Sequence, residues 1–172
     1  MTATVAYVSG PDLQPETADM AEIYSAANVN PHTGLATDYL NHFNEAVMLL
    51  ELIPDMPECI EDFLAWQPRG YREHFETSDF AGREVAIAAY EAAEPALRTE
   101  FDRLTHAMTS VLETAGLLLR DPALASRSGI ISTHVAESMK PLVLLAGGLI
   151  NGDSGDGDVE SILAEDIPDF GP

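Results

Sequence analysis

The sequence predicts an all-α protein: an antiparallel helical bundle of three to four long helices plus short helices, with flexible acidic termini. Three observations carry this. Apolar residues recur at steps of three and four over long stretches, no segment alternates apolar and polar residues for the length of a useful strand, and most prolines fall between the periodic segments. A chain of 172 residues, 46% of them apolar, can bury one core without a metal or a disulfide to hold it.

Residues 1–18 mix Gly10, Pro11 and Pro15 with small residues and keep no period, which reads as a flexible leader. A short helix is expected around Asp19 to Ala27. The first long helix is expected from Leu35–Asp38 to Ile53, because Leu40, Phe43, Val47 and Leu50 repeat at three and four and Pro54 ends the pattern. Pro57-Glu58 resembles the first turn of another helix, carrying Ile60, Phe63, Leu64 and Trp66 before Pro68. Loop and short helix are expected over 68–82, then a helix over Arg83 to Ala93.

Glu94-Pro95 starts the next helix, whose seam of Leu97, Phe101, Leu104, Met108, Val111, Ala115 and Leu118 needs a second helix along it. Asp121-Pro122 opens another, with Leu124, Ile131, Val135, Leu142, Leu145 and Leu149 on one face. The bundle is thus assigned to 19–150. Residues 151–172 read as an acidic, Gly-rich linker followed by a short amphipathic C-terminal peptide bearing Val159, Ile162, Leu163 and Ile167.

Charge narrows the partners. The chain holds 29 acidic and 8 basic residues, a net charge of -21, and no Lys or Arg precedes Arg69. Phosphate backbones and anionic lipid surfaces are bound through Lys and Arg, so neither nucleic acid nor membrane is expected as a partner. No apolar run reaches the roughly 18 residues of a spanning helix, and the start lacks the basic and apolar regions of a secretory signal, so a cytoplasmic location is expected. Cys59, the only cysteine, excludes an intrachain disulfide, and Glu58, Glu61 and Asp62 oppose its thiolate.

Four sets of residues carry chemistry worth testing. Asp38, His42 and Glu45 share one strip of a helix, within about 60° at roughly 100° per residue, at the border of its apolar face. His134 and Glu137 take similar places on the last long helix. Facing helices that each present an imidazole and a carboxylate can bind iron, manganese or zinc, although the usual diiron order is Glu-x-x-His and both pairs here run His-x-x-Glu.

The second set, Trp66, Arg69, Tyr71, Arg72 and His74, with Phe75, gathers rings and cations within ten residues. It would line a pocket for a small anionic or aromatic ligand; the plain alternative is a loop packed onto the bundle. The third is the C-terminal peptide, Val159, Ile162, Leu163 and Ile167, suited to an apolar groove of a partner or of the bundle itself. The fourth, the Gly-Asp run at 151–158, fails the twelve-residue calcium-loop pattern and reads as linker. Asp102 and His106 are expected to face solvent, and His32 to lie in the turn Asn30-Pro31-His32-Thr33-Gly34.

No serine-nucleophile elbow, phosphate-binding glycine loop or dinucleotide fingerprint occurs. No catalytic residue is assigned, and the expected role is protein–protein interaction: a regulator, adaptor or assembly factor whose partner offers a basic or apolar groove, with self-association open. A metal-binding His/carboxylate bundle and small-ligand binding at 66–75 are the alternatives.

Overall fold

A computed structural model describes residues 15–153, and regular structure there is helical throughout. Seven α-helices follow one another: α1 (Pro15–Ala26), α2 (Leu40–Leu52), α3 (Cys59–Ala65), α4 (Tyr71–Glu76), α5 (Arg83–Ala92), α6 (Pro95–Arg120) and α7 (Ser128–Asn151). Short 3-10 turns lead into α2 (Thr37–Tyr39) and α7 (Pro122–Arg127). The helix α1 begins inside the stretch assigned from composition to the leader. The C-terminal peptide, with Val159, Ile162, Leu163 and Ile167, lies outside the described residues.

The start of α6 follows from its sequence. Pro95 needs no N–H partner in a first turn, and the Glu94 carboxylate accepts from the Leu97 N–H at 2.8 Å. Those first-turn N–H groups of Leu97 and Ala96 hold the Glu94 carboxyl below its usual range. Asp121 caps the following turn in the same way, accepting from the Ala123 N–H at 2.9 Å.

The helix α7 packs along both α2 and α6, and the core lies between them: Phe43, Leu50, Leu104, Met108, Met139 and Leu142 are all buried. The seam predicted along α6 is right for its first half and shifts in the second. Leu112 and Leu119 are buried in place of Val111 and Leu118, which are half-buried. A straight helix drifts by about 20° per heptad against a 3.5-residue repeat, so over three heptads the buried face moves on by about one position.

Two glycines close the ends of the frame. Gly152, in the left-handed region at φ 80°, terminates α7, with the Asp153 N–H donating to the Gly148 carbonyl at 2.9 Å. Gly34 (φ 72°) lies so close to α5 that a Cβ there would stand 2.7 Å from the Ala89 carbonyl oxygen. The intervening Thr33 hydroxyl donates to the Ile150 carbonyl at 2.6 Å, satisfying an acceptor of the last turn of α7 that has no partner within the helix. The loop after α1 thereby ties α5 to α7.

Candidate functional site

The segment joining α3 to α4, residues 66–70, is irregular because Pro68 cannot continue a helix, and it is fastened instead to the turn before α2 and the first residues of that helix. Trp66 Nε1 donates to the His42 carbonyl at 3.1 Å, the Arg69 N–H donates to His42 Nε2 at 3.1 Å, and Tyr39 Oη donates to the Arg69 carbonyl at 2.8 Å. One residue later the Tyr71 hydroxyl accepts from the Ala36 N–H at 2.9 Å. Arg69 is thus held at both its amide and its carbonyl, while its side chain stays exposed.

Rings fill the space beneath. The indole of Trp66 stacks on His42 with centroids 4.6 Å apart, His74 stands 5.8 Å from His42 and 5.5 Å from Tyr39, and Tyr71 meets Tyr39 edge-on at 5.2 Å. Tyr71 also stacks on Tyr90 of α5 at 4.4 Å, and Tyr90 in turn donates to Asp102 Oδ1 of α6 at 2.6 Å. Burial, above all, raises the phenols of Tyr39, Tyr71 and Tyr90, so they remain neutral donors at physiological pH.

The same burial lowers both imidazoles. His42 is pulled from 6.5 to about 4, first by desolvation, then by His74 and Arg69. His74 moves down by burial and by Arg69, against an opposing pull from Asp38.

Three clefts border the fastened segment; one is lined by Trp66, Gln67 and Pro68 together with Leu112 and Gly116 of α6, and Arg69 lines the other two. The larger, of about 630 Å³, lies against α6 and is lined by Tyr39, Arg69, Tyr71 and Arg72 on one side and by Tyr90, Asp102, Thr105, His106 and Thr109 on the other. The smaller, of about 460 Å³, is lined by His42, Glu45, Asp62, Trp66 and Arg69 among others. Arg69 belongs to both. Arg72 is engaged, pairing with Glu76 at 2.7 Å and with Glu91. Arg69 has no ion-pair partner among the described residues.

The residues expected to bind metal are distributed otherwise. His42, placed by its helical angle at the border of the core, is buried beneath Trp66, and its Nε2 lone pair is taken by the Arg69 amide. Glu45 is exposed on α2; Asp38 is half-buried in the turn before it, and its Oδ2 has no hydrogen-bond partner among the described residues. His134 is half-buried and Glu137 exposed on α7. Among the described residues no group of three or more His, Cys, Asp or Glu side chains converges in a way that could hold a metal ion.

Trp66, Arg69, Tyr71, Arg72 and His74 do not line one cleft: Arg69, Tyr71 and Arg72 line the larger, Trp66 and Arg69 the smaller, and His74 packs in the ring cluster and lines neither. Asp102 and His106 are exposed as expected, and both line the larger cleft. Sequence reasoning missed Tyr39 and Tyr90. Tyr39 carried a readable signal, lying three residues before His42 on the same helical side.

Comparison with protein-family models, with curated proteins and with solved structures gave no significant match. The class defined here is therefore a physical one: an all-helical protein that presents a fastened arginine on the lip of two ring-lined clefts.

Proposed function

We propose that this chain is a binding protein whose recognition element is the 66–75 segment, taking a small ligand with an anionic group in the cleft between that segment and α6. The observation that carries this reading is the double hydrogen bonding of the Arg69 backbone to His42 and Tyr39, which fixes the root of an unpaired guanidinium in a strongly acidic chain. Such fixing reduces the ordering cost of binding, and arginine suits carboxylates and phosphates. The cleft volume falls within the usual range for small-molecule sites.

The surrounding architecture is an antiparallel bundle in this reading. Support comes from the order of contacts between α2 and its neighbour: Leu40 lies beside Gly147, Glu51 pairs with Lys140 at 2.6 Å, and Pro54 lies beside Gly129. Numbers rise along one chain segment as they fall along the other.

A protein partner is the second reading. It is favoured by Met48, Leu117, Ile130 and Leu144, large apolar side chains exposed on α2, α6 and α7, in a chain whose charge would speed encounter with a basic surface. A cytoplasmic setting suits both readings.

The test is a fragment screen by amide correlation spectra on the full chain, with Trp66 fluorescence as a second readout. Bound fragments are expected to shift Gly70, Thr105 and Thr109 together and to lose affinity about tenfold or more in Arg69→Gln. A screen whose hits leave those amides still would defeat the small-ligand reading.

A further inference from the structure

The charges inside the larger cleft narrow the class of ligand, given the binding role proposed above. Five charged side chains line it: Arg69, Arg72, Glu73, Glu76 and Asp102. Arg72 is bound by Glu76 and by Glu91, so Arg72 and Glu76 answer one another within the protein. Arg69, Glu73 and Asp102 have no ion-pair partner among the described residues, and Asp102 accepts from the Tyr90 hydroxyl through Oδ1. One guanidinium and two carboxylates therefore face the cleft unpaired.

A ligand bearing only negative charge would meet Arg69 but would also meet those carboxylates and the field of a chain at -21. One bearing only positive charge would set it beside Arg69. A neighbouring hydroxyl adds an acceptor: Thr109 donates to the Thr105 carbonyl of its own helix, leaving its oxygen lone pairs for an incoming N–H, whereas the buried Thr105 hydroxyl is already engaged by the Asp102 carbonyl and the Tyr39 hydroxyl. We propose that the cleft takes a small zwitterion, its single anionic group on Arg69 and its ammonium toward Asp102, Glu73 and the Thr109 hydroxyl.

Three probes of one skeleton separate the charge classes: 4-aminobutyrate, butyrate and butylamine, titrated into the full chain by calorimetry and followed by amide correlation spectra. The zwitterion is expected to bind about tenfold or more tightly than either relative and to shift Gly70, Thr105 and Thr109. Arg69→Gln is expected to reduce its affinity to that of butylamine, and Glu73→Gln with Asp102→Asn to reduce it toward that of butyrate. Glu73→Gln alone, which leaves the Tyr90–Asp102 contact in place, covers the case in which the double variant unfolds and is expected to weaken only the two amines. Butyrate or butylamine binding as tightly as 4-aminobutyrate overturns the zwitterion while leaving the cleft a binding site. Silence from all three overturns it as well, and fragment hits at the same amides would then show that the binding role survives.

Discussion

The backbone amide of Arg69 points its hydrogen at Nε2 of His42 across 3.1 Å. That contact requires a lone pair on Nε2, so the imidazole is neutral with its proton on Nδ1. Protonation would set two N–H groups against each other in a buried place. The ring is held at about 4, against 6.5 for an ordinary histidine, by burial first and then by His74 and Arg69.

A pH dependence of stability follows. Between about 6.5 and 4 the unfolded chain binds a proton at this position that the folded chain does not, so stability falls as pH falls through that window; above 6.5 the contribution is complete. Urea denaturation is expected to show a loss of roughly 2–3 kcal/mol from this residue between pH 7 and 4. Because carboxylates also titrate near the lower limit, the comparison is with His42→Gln, whose loss over the same range should be smaller. A His42 titration midpoint near 6.5 in the folded protein would contradict this.

Two tyrosine hydroxyls hold the same segment from opposite chemical roles. Tyr71→Phe strands the Ala36 N–H, buried and without its acceptor, and is expected to cost about 1–3 kcal/mol. Tyr39→Phe removes a donor from the Arg69 carbonyl in a partly exposed position, where water can substitute, and should cost at most about 1 kcal/mol. Denaturation midpoints of the two variants give the order directly.

Glycine positions offer a contrast with little ambiguity. Gly34→Ala imposes a side chain on a left-handed residue and drives Cβ to 2.7 Å from the Ala89 carbonyl oxygen, so a loss of at least about 2 kcal/mol is expected. Gly70→Ala meets no atom within 4 Å at an ordinary φ of -71° and should change stability by less than about 0.5 kcal/mol. Thermal melts of both proteins check the pair.

Thr33→Val keeps shape and loses the hydroxyl that donates to Ile150. The expected cost is about 1–2 kcal/mol, with faster amide exchange at Gly152 and Asp153 as the end of α7 loosens.

The helices were legible because each long one buries a single face and Pro54, Pro95 and Pro122 stand at helix ends, Pro141 inside α7 being the exception. What periodicity could not supply was the identity of the neighbour on that face. Asp38, His42 and Glu45 do share one side of the chain's first long helix, but His42 faces the Trp66–Arg69 segment, a partner 24 to 27 residues away that helical spacing does not encode. That rings and arginines gather along 66–74 could be read from the sequence, because Trp66, Arg69, Tyr71, Arg72 and His74 are close along the chain; which cleft each one lines could not, since that depends on α2 and α6. The far wall of the cleft, Asp102, Thr105 and His106, enters only when α6 packs beside α4 and α5. The second-half drift of the α6 seam was hidden by reading a 3.5-residue period onto a helix that turns every 3.6 residues or so.

Amide hydrogen exchange at Arg69 tests most directly whether the 66–71 segment is a fastened platform and not a mobile loop. The Arg69 N–H is expected to be protected nearly as well as the amides of α2, and to lose that protection in His42→Ala while Leu104 and Leu142 keep theirs. Exchange at Arg69 as fast as in an open chain, in a protein whose α2 amides remain protected, would contradict the fastening on which the proposed recognition of ligand depends.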